Sequence, residues 1–275
     1  MIIRIPTTPP TTMNENGHYA TVNGLRIYYE THGPETQPVP LVLLHGGVGG
    51  IEMFGPNLPA LARSHRIIAV DLQGHGRTGD VDRPLRYESM ADDIAGLLRQ
   101  LGFTQADLMG YSLGGGVSLQ IVIRHPALVR KLLVVSSPFR HKAFYPEILA
   151  IFDQMGAAHG AMMKQSPLAK LYPDADWERL FTKLGDLQRQ DFDWSADVAK
   201  IRVPTMLVFA DADTYWPEHI VEFYKLLGGG QRDAGLDGSL RSKNRLAIIP
   251  NTTHYNLLAT TTAADLIEPF LSGAA

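Results

Sequence analysis

The 275-residue chain has no cysteine, which excludes disulfide frameworks, thiolate nucleophiles and cysteine-ligated metals. It has no apolar run near the roughly 18 residues a membrane span requires, and no basic run of the kind that marks a nucleic-acid surface. Nor is either sign of charge in clear excess: 25 Lys and Arg face 28 Asp and Glu, a formal net charge of −3. This balance fits a small neutral partner better than a polyanion. Internal repeats and low-complexity tracts are missing as well. The stretch Met1 to Thr12 carries only Arg4 as a charge, with Pro6, Pro9 and Pro10 where a signal peptide has its apolar core, so the expectation is a loose tail on a cytoplasmic protein. The chain is long enough for one large α/β domain with a substantial core.

Its hydrophobic pattern alternates between two periods. His18 to Val22 and Leu25 to Glu30 are β-rich runs separated by Asn23-Gly24, a type I′ hairpin signal. Val39 to Leu44, Arg66 to Asp71, Gln105 to Met109, Lys131 to Ser136, Thr205 to Phe209 and Arg245 to Ile249 read as short buried strands. Helical spacing lies between them: Pro59 to Ser64 closes one helix, and Tyr87 to Leu101 places Met90, Ile94, Leu97, Leu98 and Leu101 on one face before Gly102. Further helices are read over Val117 to Arg124, Glu218 to Leu227 and Leu257 to Leu271. Sequential βα units predict an α/β fold with a mostly parallel, doubly wound sheet. From Pro138 to about Asp193 the strands stop, leaving helical patterns over Pro146 to Met155, Gly160 to Leu171 and Asp176 to Arg189. The expected organisation is therefore a core of residues 1–137 and 194–275 with a helical cap insertion over 138–193, above the edge where such sheets bind ligands. Gly228 to Asn244 has no periodic pattern and is expected to be a mobile loop.

Chemistry concentrates where strands end. Gly110-Tyr111-Ser112-Leu113-Gly114 joins a predicted strand to a predicted helix, and glycines two residues either side of Ser112 allow the tight turn such a corner needs. The helix that follows directs free N–H groups and its positive end toward Ser112. His45-Gly46-Gly47-Val48-Gly49-Gly50 also follows a buried strand, but it matches neither G-x-G-x-x-G nor a P-loop. A loop so free of side chains can present backbone N–H groups to an oxyanion, with Gly47 the leading donor. His75, between glycines in Asp71-Leu72-Gln73-Gly74-His75-Gly76, is read as structural. Asp211 and Asp213 follow the strand at 205, and His254 follows the strand at 245.

Ser112, Asp213 and His254 thus reach one edge of the sheet in the order serine, acid, histidine. With the His45-Gly46-Gly47 loop, the Asp71 to Gly76 turn and the Gly110 to Gly114 corner, the sequence from about Tyr19 to Leu271 resembles the α/β-hydrolase superfamily. The resemblance implies a serine esterase-like enzyme: Ser112 as nucleophile, His254 as its base, Asp213 orienting the imidazole, and the N–H groups of Leu113 and Gly47 as the oxyanion hole. The family's acid turn is Gly-x-x-Asp; Ala210 stands for the glycine, which points to Asp213 over Asp211. Haloalkane dehalogenases and epoxide hydrolases carry aspartate at the corner, so a serine disfavours both. Ester hydrolysis is the first expectation, with lactonase, C–C bond hydrolase or slow-turnover small-molecule receptor as alternatives. No cofactor or metal is implied. The expected substrate is small, uncharged and partly apolar, with Val48, Phe152, Met162 and Trp216 as candidate pocket residues.

Overall fold

The computed structural model of the protein describes residues 15–273, so the tail expected over Met1 to Thr12 lies outside the described residues. Asn23 and Gly24 both take positive φ, 51° and 79°, as a type I′ turn requires, and join β1 (Gly17–Val22) to β2 (Leu25–His32) in an antiparallel hairpin. The chain continues through β3 (Leu41–Leu44), α1 (Asn57–Leu61), β4 (Ile67–Val70), α2 (Tyr87–Gln100), β5 (Ala106–Tyr111), α3 (Leu113–Arg124) and β6 (Val129–Val135). An insertion follows, with α4 (Pro146–Gln154), α5 (Ala157–Met163), α6 (Pro167–Leu171) and α7 (Trp177–Gln188). After it come α8 (Ser195–Val198), β7 (Thr205–Ala212), α9 (Pro217–Leu226), β8 (Arg245–Thr253) and α10 (Thr262–Ser272).

The strands form one eight-stranded sheet in the order β1-β2-β4-β3-β5-β6-β7-β8. β2 runs antiparallel to β1 and β4, and every other neighbouring pair is parallel. Side chains along the central strands alternate between two cores, as the period of two demands. Val42, Leu44, Leu108, Leu132, Val134 and Leu207 pack with α2, α3 and the insertion, whereas Leu41, Leu43, Met109, Leu133, Val135 and Val208 pack with α1 and α10. Burial of each such side chain contributes about 1.5 to 3 kcal/mol. Both faces being covered explains why these strands read as unbroken apolar runs.

The insertion leaves and re-enters the sheet at one neck, where His141 N–H donates to Phe192 O at 2.8 Å and Trp194 N–H donates to Phe139 O at 3.0 Å. The helix expected over Gly160 to Leu171 is two helices. Ser166 is extended (φ −82°, ψ 159°) ahead of Pro167, as a residue before proline prefers, and its side chain accepts the Ala169 N–H to start α6 afresh. Gly160 lets α5 lie directly on α7, since a Cβ there would stand 2.3 Å from Trp177 O. The insertion is also tied to the core by ion pairs from Arg179 and Lys183 to Asp80 and by a hydrogen bond from Tyr172 to Glu52.

Other boundaries differ from the sequence reading: β7 extends past Phe209 to Ala212 and so includes Asp211, β8 extends past Ile249 to Thr253, and α1 spans Asn57–Leu61 instead of Pro59 to Ser64. α10 starts at Thr262 rather than Leu257 because the Leu258 carbonyl accepts from Asn57 Nδ2 at 2.8 Å, while Asn57 Oδ1 takes the Ala264 N–H at 3.1 Å in the first turn. α3 begins at Leu113, directly after the serine, not at Val117. Residues 228–244 contain no helix or strand, and Asn244 closes their base by accepting the Thr205 N–H at 2.9 Å and donating to Leu227 O.

Candidate active site

Ser112 occupies the corner between β5 and α3 with φ 53° and ψ −116°, in the positive-φ region a non-glycine residue rarely enters. Its N–H donates to Val135 O at 2.9 Å, which pins the corner to the neighbouring strand. The flanking glycines are needed for approach as well as for the turn: a Cβ on Gly110 would lie 2.1 Å from Gly114 O, and one on Gly114 would lie 2.1 Å from Leu44 O. α3 therefore packs its first turn onto the end of β3, where Gly114 N–H donates to His45 O at 3.0 Å.

The expected serine, acid and histidine meet. His254 Nε2 lies 3.0 Å from Ser112 Oγ, and His254 Nδ1 lies 2.9 Å from Asp213 Oδ1. A carboxylate only accepts, so Nδ1 carries the proton and Nε2 offers its lone pair to the serine hydroxyl. Burial alone would push the Asp213 carboxyl up, since its side chain is 1% exposed. Hydrogen bonds from His254, Ser136 and the Thr214 N–H bring it below the usual carboxylate range instead. Asp211 is exposed and turned away, accepting the N–H groups of Asn251 and Thr252. Around the imidazole, Tyr111 stacks at 5.5 Å and donates its hydroxyl to His254 O. Tyr215 and Tyr255 meet the ring edge-on at 5.8 and 5.4 Å.

Beside Ser112, the N–H groups of Leu113 and Gly47 have no acceptor among the described residues. The Gly47 loop rests on His45, whose Nε2 accepts the Leu72 N–H at 2.9 Å, leaving Nδ1–H to donate to Gly46 O at 2.7 Å. Burial holds this imidazole neutral, its pKa lowered to about 3. Further along, Ile51 N–H is anchored on Asp71 Oδ1 at 2.8 Å. His75 is buried 5.2 Å from His45 with Nδ1 on Gln73 O, and its Nε2 has no hydrogen-bond partner among the described residues.

Among the described residues no group of three or more His, Asp or Glu side chains is arranged to hold a metal, and no helix is long and apolar enough to cross a membrane.

Residues 41–267 match the sequence model of the alpha/beta hydrolase family. The chain belongs to the α/β-hydrolase family. This hydrolase is 33% identical over 200 residues to the "Putative carbamate hydrolase RutD" of Caulobacter sp. (strain K31), covering 69% of this chain and 72% of that protein. To the protein of the same name from Azorhizobium caulinodans it is 29% identical over 223 residues, covering 74% and 83%. Its fold is similar to that of the enol-lactonase from Burkholderia xenovorans LB400, with a TM-score of 0.73 at 19% identity over 93% of this chain and all (100%) of that one. The carboxylesterase CesB of Bacillus subtilis gives a TM-score of 0.71 at 20% identity, covering 96% and 93%.

The expected pocket residues of the hydrolase separate. Phe152 meets Phe144 edge-on at 5.0 Å, Phe144 meets Tyr215 at 5.0 Å, and Tyr215 meets His254, so an aromatic path links the insertion to the imidazole. Val48 is partly buried against the same core. Trp216, 44% exposed, packs on Tyr145 at 4.4 Å. Met162 is not brought to this cluster: it is 62% exposed, while its neighbours Met155 and Met163 pack inward. The sequence reading missed Leu184, whose Cδ2 lies 3.9 Å from where a Cβ on Gly47 would be. Its place in the Trp177, Leu180, Phe181, Leu184 and Leu187 stripe of α7 was the available signal. Ser136, at the end of β6, was missed although it obeys the strand-end rule that picked out the other three.

Proposed function

We propose that this hydrolase cleaves a small carbonyl substrate, first of all a carboxylic ester, through an acyl-enzyme formed on Ser112. The observation that carries the reading is the continuous hydrogen-bond path from Ser112 Oγ through both nitrogens of His254 to Asp213. In the proposed cycle Ser112 Oγ attacks the carbonyl carbon as His254 Nε2 takes the hydroxyl proton, and Asp213 stabilises the imidazolium. Negative charge on the former carbonyl oxygen is met by the unoccupied N–H groups of Leu113 and Gly47. Collapse of the tetrahedral species expels the alcohol, which leaves with the proton from His254, and a water molecule repeats the sequence to free the acid and Ser112. The helical insertion acts as a cap, with Leu184 above the oxyanion side and Phe152 reaching toward the imidazole through Phe144 and Tyr215. These walls favour uncharged, partly apolar groups.

A second reading, carbamate or amide hydrolysis by the same residues, is supported by the name of the curated relatives and by Gln188. Its Oε1 is buried with no hydrogen-bond partner among the described residues, and it lies one turn beyond Leu184 on α7. An unpaired buried acceptor costs about 1 to 3 kcal/mol, which a substrate N–H would recover. The test is a matched panel of chromogenic esters and carbamates, run with the wild type, Ser112→Ala and Gln188→Leu. Ester turnover lost only with Ser112→Ala supports the first reading; a carbamate preference that Gln188→Leu abolishes supports the second. Turnover surviving Ser112→Ala removes both.

A further inference from the structure

Ser136 sits at the end of β6 with its side chain among the three residues assigned above. It is fully buried at 0% exposure, and like Ser112 it takes a positive φ, 50°. Three of its groups are fixed by neighbours. Its N–H donates to Val208 O at 2.8 Å, its carbonyl accepts the Tyr215 hydroxyl at 3.0 Å, and its own hydroxyl donates to Asp213 Oδ2. The hydroxyl oxygen also stands 3.2 Å from His254 Nδ1. The preceding residue, Val135, accepts the Ser112 N–H. The last residue of β6 and the one after it therefore hold both ends of the serine–histidine–acid chain.

A hydroxyl has one hydrogen and two lone pairs. With the hydrogen committed to Asp213, the lone pairs are left facing the imidazole N–H, whose nearest acceptor is Asp213 Oδ1 at 2.9 Å, followed by Ser136 Oγ at 3.2 Å and Thr214 Oγ1 at 3.4 Å. Asp213 Oδ2 is meanwhile satisfied by Ser136 and by the Ala210 N–H at 3.1 Å. Rotation of the carboxylate would exchange its two oxygens and break both bonds. A buried positive φ in a residue without a glycine's freedom is strained and persists only where the surroundings enforce it.

We propose that Ser136 is a positioning residue: its hydroxyl locks the Asp213 carboxylate and, through it, the Nδ1–H tautomer of His254. The proposal rests on the triad reading given under Proposed function. Ser136 is fully buried and its hydroxyl bonds Asp213 and not Ser112, so it acts on turnover through Asp213 and leaves substrate binding alone.

Ser136→Ala removes the hydroxyl and keeps the Cβ; Ser136→Gly removes both and suits the positive φ, so it guards against a simple folding defect. Loss of one hydrogen bond to a charged group predicts kcat about 10- to 100-fold lower in both variants, with KM within about twofold of wild type. In an Asp213→Asn background, Ser136→Ala should cause no further loss, and the downfield proton resonance of His254 Nδ1–H should shift or broaden in the single variants. Full kcat in Ser136→Gly, or losses that multiply in the double variant, would overturn the proposal. A fluorophosphonate probe run alongside separates the two levels of the argument. Wild type labelled at Ser112 with undiminished Ser136 variants removes the positioning role alone, whereas wild type not labelled at Ser112 removes the triad and this proposal with it.

Discussion

Asp211 and Asp213 are two residues apart, yet they hold different groups at the end of β8: Asp213 is turned inward onto the His254 imidazole, and Asp211 is turned outward onto the backbone N–H groups of Asn251 and Thr252. In an unbroken strand residues i and i+2 share a face. The ladder here is irregular, with Ala210 opposite Ile249 but Ala212 opposite Thr253, so β8 bulges between them and presents the N–H groups of Asn251 and Thr252 to Asp211. Asp213→Asn should lower kcat by roughly 10⁴ by permitting the wrong imidazole tautomer. Asp211→Asn should cost less than about tenfold, through a loosened His254 loop. Steady-state kinetics of the two variants side by side decide the assignment, and the reverse ranking would move the acid to Asp211.

Ser112→Ala should leave the fold intact and reduce kcat by about 10⁴ to 10⁶, because nucleophile and base act as one unit. Mass spectrometry after fluorophosphonate treatment should find the adduct on Ser112 and on no other serine.

Glycines of the site should differ sharply in tolerance. Gly114→Ala places a Cβ 2.1 Å from the Leu44 carbonyl oxygen, a backbone atom that cannot move aside. It should destabilise by about 3 kcal/mol or more. Gly47→Ala meets only Leu184 Cδ2 at 3.9 Å and should fold normally. Thermal unfolding of both proteins reads the contrast, and equal midpoints would contradict this packing of α3 on β3.

Acyl-chain preference should respond to Phe152 and not to Met162. Phe152→Ala opens the aromatic path to Tyr215, so longer acyl chains should gain, each added buried methylene being worth about 0.8 kcal/mol or roughly fourfold in kcat/KM. Met162→Ala, at a site 62% exposed, should leave the profile flat. A flat profile for Phe152→Ala would instead assign specificity to the core loops.

Stability should fall on acidification from pH 7.5 to 5. Burial lowers His45 and His219 to about 3 and His75 to about 4, whereas the unfolded chain takes up these protons near 6.5. Below 6.5 the unfolded state binds more protons, which costs stability, about 2 kcal/mol for each imidazole at pH 5. Burial pushes Asp71 up to about 7, and this opposes the trend over the same interval, one group against three. Urea midpoints at the two pH values provide the measurement, and a higher midpoint at pH 5 would mean that these imidazoles are not held neutral.

Local chemistry in the sequence determined the fold class, the hairpin, the glycine-flanked corner and the order of serine, acid and histidine. Apolar runs mark buried parallel strands, and Asn23-Gly24 and the Ser112 corner specify their own backbone geometry through neighbours in sequence. The break between α5 and α6 is equally local, since Pro167 holds Ser166 extended and so interrupts the apolar spacing that runs across both helices. Other features depend on contacts between distant residues and were beyond any local pattern. Leu258 could not be seen to lie outside α10 without Asn57, 201 residues away, taking its carbonyl. Which face of each inserted helix meets the core was set by Gly160 on α7 and by the Asp80 ion pairs, so that Leu184 turned in and Met162 turned out. The choice between Asp211 and Asp213, and the presence of Ser136 beside the acid, were decided by the bulge of β8 and by the alignment of three strand ends. Side-chain direction at a strand end depends on the neighbouring strand's register, and that register exists only once the sheet has formed.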